Sequence, residues 1–166
     1  IRPAYNGHTP LGGSSMNPPV DVLGLEHIYL TVSSLAVSEA FYDTLLVEVL
    51  GFRKSKFALG DEPHINYFNR HFGLVLRPAR NATPHDNYAP GLHHLCLRVA
   101  TEDDVRRARA ALNERGIDAS PVQCYAQYAE DYYATFLSDP DGIRLELSNF
   151  RKERRERFEG WEKLGG

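Results

Sequence analysis

The sequence predicts an α+β fold in which one βαβββ module occurs twice. The first observation is a repeated pattern, His-aliphatic-x-Leu-x-Val, which begins at His27 and again at His94 and follows a Gly-Leu pair both times. Each run is rich in residues that favour strands. The second observation is that a helical stretch and three more strand candidates follow each run in the same order. A repeat of this kind indicates two related structural modules.

The first module covers residues 21–79. Its opening strand is predicted at residues 27–32, and a helix is predicted from Ser34 to about Val49. A glycine followed by an apolar residue, at positions 51 and 52, supplies a helix stop that leads into the next strand. The remaining strands of this module are predicted at residues 52–59, 64–69 and 72–77.

The second module covers residues 91–150 and opens with a strand at residues 94–99. A helix is predicted at residues 102–115, because Thr101 can act as its N-cap and Asp104 provides the acidic third position of a capping box. Apolar residues also recur in this segment at the three- and four-residue spacing of a helix, at Val105, Ala108 and Leu112.

The second module ends in three more strands. Like the first helix, the second stops at a glycine followed by an apolar residue, at positions 116 and 117. Residues 139–142 read Asp-Pro-Asp-Gly, and proline and glycine are both favoured in tight turns, so this segment predicts a hairpin between the last two strands. The strands are predicted at residues 119–127, 132–138 and 143–150.

Three segments lie outside the two modules. Residues 1–20 are rich in proline, glycine and polar residues, which predicts a loose leader, and Met16 is the only methionine, so we hypothesise that translation naturally starts there. Residues 80–90 form a polar linker that contains proline. The charged segment 151–166 predicts a C-terminal helix and tail at a surface or interface.

Composition narrows the class of partner. A net charge of −3, with both signs spread along the chain, gives no electrostatic footprint for nucleic acid or for an anionic membrane. We therefore expect a small-molecule partner. The two cysteines, Cys96 and Cys124, are too few for a disulfide framework, which suits a cytoplasmic protein. No apolar run approaches the roughly 20 residues of a membrane-spanning helix.

Together these features resemble the vicinal oxygen chelate superfamily, which includes glyoxalase I, fosfomycin-resistance enzymes, ring-cleaving dioxygenases and bleomycin-binding proteins. The features are the duplicated module, the two histidines that begin strands, the Phe-Tyr pair at positions 41 and 42, and the segment DPDGIRLEL at residues 139–147. The resemblance covers roughly residues 24–150. It implies a curled mixed sheet around a metal cleft, formed within one chain or across a homodimer. One departure is that the segment from Phe41 to Phe52 is longer than usual, by about one helical turn.

The predicted metal ligands are His27, His94 and Glu146. Glu146 is informative because it interrupts an apolar run, where an unpaired buried charge would be costly. If the symmetry of the modules brings these residues together, they form a set of two histidines and one carboxylate. Such a set leaves coordination positions open for a substrate on Fe(II), Mn(II), Zn(II) or Ni(II).

Other side chains near this set are candidates to position a substrate. Residues two apart on a strand share a face, so Tyr29 lies with His27 and Arg144 lies with Glu146. Tyr29, Arg144 and Tyr133 are therefore predicted to act in catalysis, with Arg77 and Tyr132 as alternatives. We assign no general base. The remaining candidates are expected to be structural or superficial: His93 points away from the site, and Cys96 is a buried inert thiol. His64 and His71 are expected at the surface, with the mouth of the cleft as the less favoured alternative.

Departures from the family patterns narrow the reaction. The last strand of the first module has Val75 where glyoxalase I proteins have a fourth ligand, a glutamate. Ring-cleaving dioxygenases have a tyrosine where this chain has Phe136 and a histidine near residues 127–129, which here read Gln-Tyr-Ala. Thiol-transferring fosfomycin enzymes have a threonine at the position of Tyr29. Each of these specific activities is therefore disfavoured.

The expected function is a metal-dependent enzyme that chelates two oxygens of a small substrate and stabilises an anion developing on one of them. Lyase, isomerase and fosfomycin-type transferase reactions all fit this description. Three alternatives remain open. They are a bleomycin-type protein that binds and sequesters a small molecule, an extradiol-type dioxygenase, and a domain that has lost its activity.

Overall fold

The two modules form two separate four-stranded sheets in the computed structural model, which describes Val20 and residues 22–161. The first module contains β1 (His27–Val32), α1 (Leu35–Tyr42), a π-helical segment (Asp43–Val49), β2 (Arg53–Leu59), β3 (Glu62–Phe68) and β4 (Gly73–Pro78). The second contains β5 (Leu95–Val99), α2 (Glu102–Glu114), β6 (Gln123–Cys124), β7 (Tyr133–Ser138) and β8 (Arg144–Asn149), and α3 (Lys152–Glu159) follows. The leader hypothesis concerning Met16 lies outside the described residues.

The strand order confirms the predicted duplication. The first sheet has the order β1-β4-β3-β2 and the second has the equivalent order β5-β8-β7-β6. In each sheet the first and last strands of the module are parallel neighbours, and the other pairs are antiparallel. The last strand of each module therefore runs beside the strand at whose start the repeated histidine lies. This arrangement controls which side chains can meet.

Each sheet has one face packed into the core and one open face. On β1 the inward residues Leu30 and Val32 are buried, whereas His27, Tyr29 and Thr31 are exposed on the other face. Strand alternation explains this division, because successive side chains point to opposite sides. The helices cover the inner faces, with α1 against β4 and α2 against β7 and β8. One apolar core joins the modules, and it includes Leu30, Val32, Leu45, Leu97, Leu112 and Leu147.

The predicted cap and turn of the second module are both present. Thr101 Oγ1 accepts a hydrogen bond from the Asp104 backbone N–H at 3.1 Å, and the Asp104 carboxylate accepts one from the Thr101 N–H at 3.0 Å. In the turn, Asp139 Oδ1 accepts hydrogen bonds from the backbone of Asp141 and Ile143. Gly142 has a φ of 83°, which glycine adopts readily because it has no Cβ. This backbone conformation explains why a glycine ends the turn.

The lengthened segment of the first module is π-helical. The N–H of Leu50 donates to the carbonyl of Leu45, five residues earlier, at 3.1 Å. The wider turn lets the neighbours Leu45 and Leu46 both become fully buried. The extra residues are therefore absorbed within the helix, which continues as a π-helix from Asp43 to Val49.

The strand predicted at residues 119–127 is much shorter, because only Gln123 and Cys124 pair with β7. Pro121 lacks an N–H and interrupts the ladder. Before it, Ser120 still pairs with Phe136, since its N–H donates to the Phe136 carbonyl at 2.8 Å. After Cys124 the backbone turns back on itself. None of the described helices is both long and apolar enough to cross a membrane.

Candidate functional site

The open face of the second sheet brings His94 and Glu146 together. Strands β5 and β8 are parallel neighbours in which Cys96 lies opposite Glu146, so His94 projects beside the same carboxylate. His94 Nε2 lies 3.2 Å from Glu146 Oε2. Glu146 is only 2 % exposed, whereas His94 remains accessible. Two of the three predicted ligands therefore form a pair, with one nitrogen and one carboxylate donor side by side.

Tyr132 holds the other oxygen of the same carboxylate. Its hydroxyl donates a hydrogen bond to Glu146 Oε1. Burial, and then the hydrogen bond to Glu146, raises the pKa of Tyr132, so the phenol keeps its proton and remains a donor at neutral pH. Tyr133, which was predicted to act in catalysis, points elsewhere: Glu102 and then Cys124 raise its pKa. Of the two tyrosines, Tyr132 is therefore the one at the carboxylate.

His93 contacts the imidazole of His94, which corrects the expectation that it points away. The two Nδ1 atoms lie 2.7 Å apart, so one of them donates to the other. Strand alternation does not apply here, because β5 begins at Leu95 and both histidines precede it. When His94 is the donor, its proton is on Nδ1 and the Nε2 lone pair beside Glu146 is free to bind a cation.

On the first sheet, His27 lies on the exposed face of β1, within a row of aromatic rings. Its ring contacts Tyr29 edge to face, with centroids 5.5 Å apart, and Tyr29 contacts His64 in the same way at 5.9 Å. The expectation that His64 is superficial is wrong, since it is 2 % exposed and stacks on Phe57. Its Nδ1 lies 2.9 Å from the Glu62 carbonyl, which can only accept, so Nδ1 carries the proton.

A pocket of about 420 Å³ opens beside His27. Tyr29, Val75 and Asn66 line it from the sheet, and the exposed His71 lies in the loop that borders it. This volume lies within the range of small-molecule sites. His71 therefore borders a cavity. This position at the mouth of a cleft is the less favoured of the two that the sequence predicted for it.

The strand register shows which residue of the first sheet stands at the position equivalent to Glu146. Tyr29 pairs with Val75 in the first sheet, and Cys96 pairs with Glu146 in the second. Tyr29 and Cys96 both lie two residues after a repeat histidine, so Val75 occupies the position equivalent to Glu146. This register supports the prediction that the fourth ligand of glyoxalase I is missing.

The remaining candidates have definite partners. Arg77 is held by Glu62 through two contacts of 2.6 and 2.8 Å, so it is not free to position a substrate. Arg144 lies with its guanidinium 4.4 Å from the ring centre of Phe136. Cys96 retains solvent contact rather than being buried, yet the surrounding cleft walls desolvate its thiol and raise its pKa to about 11. The thiol is therefore protonated at neutral pH, as expected for an inert cysteine.

The predicted convergence of all three ligands does not occur within one chain. Among residues 22–161 no group of three histidine, cysteine, aspartate or glutamate side chains is close enough to share a metal. His27 belongs to the first sheet and the His94–Glu146 pair to the second, and the modules contact each other through α2 and the π-helical segment. The open faces are thus separate surfaces of the chain.

The His94–Glu146 pair nevertheless has the chemistry of a metal site. Glu146 is buried, and among residues 22–161 it has no lysine or arginine within 4 Å; its partners there are Tyr132 and His94. A buried carboxylate of this kind is stabilised by a cation. Imidazole nitrogen and carboxylate oxygen are also the donors that Fe(II), Mn(II), Zn(II) and Ni(II) accept. The residues therefore fit a divalent metal.

Fold, site and sequence agree with one family. The model of the Glyoxalase/Bleomycin resistance protein/Dioxygenase superfamily matches residues 24–147, which span both modules and both histidines. The chain belongs to this superfamily. Among its curated relatives, YaeR of Escherichia coli (strain K12), an uncharacterized protein, is 30% identical over 138 residues, which cover 76% of this chain and 98% of YaeR.

Two further superfamily relatives are more distant in length or sequence. A 2,2',3-trihydroxybiphenyl dioxygenase of Sphingomonas paucimobilis is 28% identical over 131 residues, which cover 76% of this chain but only 41% of that enzyme. A solved glyoxylase/bleomycin resistance protein/dioxygenase domain from Frankia sp. EAN1pec has a TM-score of 0.65 and 22% identity, covering 79% of this chain and all of that domain. The latter shows the shared fold.

Proposed function

We propose that this superfamily member is a metal-dependent enzyme whose centre is completed by two chains of a homodimer. His94 and Glu146 of one chain and His27 of a second chain would supply the ligands. The observation that carries the proposal is the buried Glu146, which lies 3.2 Å from His94 and has no lysine or arginine partner among the residues that the structure describes. That pair needs a cation and one more ligand to reach a set of two histidines and one carboxylate.

The two-chain arrangement is favoured by the separation of the open faces. His27 and the His94–Glu146 pair each lie on an open face, but on different sheets. In a symmetric dimer the open face of the first sheet can cover the open face of the partner's second sheet, and the reverse contact forms automatically. Large exposed side chains, Tyr29 at 43% and Phe57 at 37%, suit such a covered surface.

The chemistry that a divalent metal supplies at such a centre is polarisation of substrate oxygens. The chain's own residues hold the centre in place. Tyr132 fixes one oxygen of Glu146, and His93 contacts the ring nitrogen of His94 that faces away from the carboxylate. Tyr29 and Arg144 lie on the open faces beside the ligands, where each can orient a small substrate with two adjacent oxygens.

Mixed dimers test the proposal directly. Purified wild-type protein is expected to bind about one divalent ion per chain after refolding with Mn, Fe, Zn or Ni. The variants His27→Ala and Glu146→Gln should each lose the metal. When the two variants are refolded together, heterodimers regain one intact site of two, so about a quarter of the wild-type metal content should return.

In the matched control, the single variants His94→Ala and Glu146→Gln are refolded together. Both changes lie in the same half of the site, so no heterodimer of these variants contains an intact centre. Equal recovery in both mixtures, or no recovery in mixtures that have formed dimers, would contradict the two-chain site. Metal content below about a tenth of an equivalent in the wild type would contradict the metal-dependent function altogether.

The second candidate is a binding protein that sequesters a small molecule without metal. It is supported by the aromatic row beside the 420 Å³ pocket, which includes Tyr29 and Phe57. It predicts little metal in the wild type and no effect of Glu146→Gln on ligand-induced stability. Ring cleavage, suggested by the name of the Sphingomonas relative, is less favoured, because Phe136 stands where a catalytic tyrosine is expected.

A further inference from the structure

Three arginines on the open side of the second sheet lie over aromatic rings. Arg98 follows His94 and Cys96 on the exposed face of β5, and Arg144 shares the face of Glu146 on β8. Arg151 directly precedes α3, and its guanidinium covers the tyrosine that binds Glu146. The distances from each guanidinium carbon to the ring centre are 3.9 Å for Arg98 over Phe150, 4.4 Å for Arg144 over Phe136 and 4.7 Å for Arg151 over Tyr132.

No carboxylate neutralises these three arginines. Within residues 22–161 none of them has an acidic side chain within 4 Å, whereas Arg77, Arg106, Arg107 and Arg115 all form ion pairs. The one acidic residue in β5, β7 and β8 is Glu146, which is already held by Tyr132 and His94. Within the described residues these three guanidinium groups therefore have no anionic partner.

Stacking prepares the guanidinium groups for an anion. An arginine stacked on an aromatic ring has its N–H bonds in a plane parallel to the ring, so they stay available to a group beside the ring. Those N–H bonds match the two oxygens of a carboxylate or of a phosphonate-type group. Arg144 and Arg151 are also half-buried, so their hydrogen bonds to an anion would compete less with water than those of exposed arginines.

Arg144 and Arg151 lie next to the proposed metal ligands. Arg144 is two residues from Glu146 on the same face, and Arg151 covers the ring whose hydroxyl binds that carboxylate.

We infer that the substrate is a small oxyanion of the carboxylate or phosphonate class, held by Arg144. The inference rests on the proposed function, because it places the other oxygens of the same molecule beside the His94–Glu146 pair. An anion recognised in this way gains specificity from the fork of the guanidinium, since a neutral compound of the same shape leaves the stacked charges without a partner.

The test uses the full-length protein loaded with Mn(II) and two probes that chelate through two oxygens. Oxalate is a dianion with two further oxygens that can accept hydrogen bonds from an arginine, whereas catechol, which loses protons when it chelates, has no oxygen beyond the two on the metal. Calorimetric titration should show that Arg144→Gln weakens oxalate binding by at least about tenfold, the loss expected for a charge-assisted hydrogen bond, and changes catechol binding by less than about threefold. Arg144→Lys should fall between, because it keeps the charge without the fork.

The control is Arg107→Gln on α2, which removes an arginine already paired with Asp104 and should leave both affinities unchanged. Manganese content and melting temperature are measured for each variant. If the wild type holds no manganese, the proposed function fails. If manganese is held and Arg144→Gln binds oxalate as the wild type does, the anion inference alone is overturned. A variant that loses dimer stability but keeps its oxalate affinity also overturns it, because Arg144 would then serve a partner contact.

Discussion

Val75 and Glu146 occupy equivalent positions in the two sheets, because Tyr29 pairs with Val75 as Cys96 pairs with Glu146. One copy of the module therefore has a carboxylate at the position where the other has an aliphatic side chain. Both residues are nearly fully buried in the chain, at 5% and 2% exposed. This asymmetry limits the proposed centre to three protein ligands and leaves the remaining coordination positions for a substrate.

Restoring the missing carboxylate should change how metal affects stability. Val75→Glu places an unpaired carboxylate in a buried position, so the metal-free variant should be less stable than wild type by about 1–3 kcal/mol. If the dimer brings Val75 to the centre, added Mn(II) should raise the melting temperature more for this variant than for wild type. Val75→Gln is the uncharged control, and equal metal-induced shifts in all three proteins would contradict the prediction.

Removing the Tyr132 hydroxyl should weaken metal binding. Tyr132→Phe frees Glu146 Oε1 and lets the carboxylate rotate away from His94. Residues that orient metal ligands in this way typically contribute about 10–100-fold to affinity, so a loss of that size is expected in a competitive titration with a chelator. The matched control is Tyr128→Phe, since Tyr128 is exposed and packs against the Tyr132 ring without contacting the carboxylate. Equal affinities in the two variants would show that Tyr132 only packs.

Replacing His93 should have a similar effect from the other side of the pair. His93→Phe keeps a ring of similar shape beside His94 but removes the nitrogen that lies 2.7 Å from His94 Nδ1. The orientation and proton position of His94 are then less defined, and the metal affinity should fall by about tenfold. His85→Phe is the control, because His85 lies in the linker between the modules and its ring contacts Asn87 rather than His94. An unchanged affinity in His93→Phe would contradict this role.

A buried contact between the modules should make stability depend on pH. Tyr42 donates a hydrogen bond to Asp139 Oδ2 at 3.0 Å, and burial raises the pKa of Asp139 above its ordinary 3.8. The folded protein therefore binds this proton more tightly than the unfolded chain does. As the pH falls through the raised pKa, protonation of Asp139 adds stability to the folded state.

The variant Asp139→Asn is neutral at every pH and lacks that contribution. The unfolding free energy of the wild type, relative to that of Asp139→Asn, should increase as the pH falls from about 7 to about 4.5. Urea unfolding of both proteins at the two pH values measures this difference. A difference that stays constant, or that moves in favour of the asparagine variant, would contradict the raised pKa.

The local elements were largely readable from the sequence. Thr101 and Asp104 predicted the start of α2, and the Asp-Pro-Asp-Gly segment predicted the last hairpin, because caps and tight turns depend on residues close in the chain. The strand predicted at residues 119–127 was too long, since Pro121 interrupts the ladder and its neighbours bond to β7 in only two places. The π-helical segment also escaped prediction, as its hydrogen bonding depends on burial of Leu45 and Leu46.

The site was readable only in part. Strand alternation predicted that Tyr29 shares a face with His27 and that Arg144 shares one with Glu146, and both pairs lie two residues apart within one described strand. Periodicity could not reveal the roles of Tyr132 and His93, because both lie outside regular strands, where alternation gives no direction. Nor could it reveal that His64 is buried, which depends on stacking against Phe57 from the neighbouring strand.

The sequence by itself determined the duplicated module, the two histidines and the single carboxylate, because these follow from local periodicity and from comparison of one half of the chain with the other. Only the tertiary structure decided that His94 and Glu146 meet while His27 lies on a separate open face. The physical reason is that the helices and the shared core fix how the sheets are placed relative to each other. That packing depends on contacts far apart in the chain, which a repeat pattern does not encode.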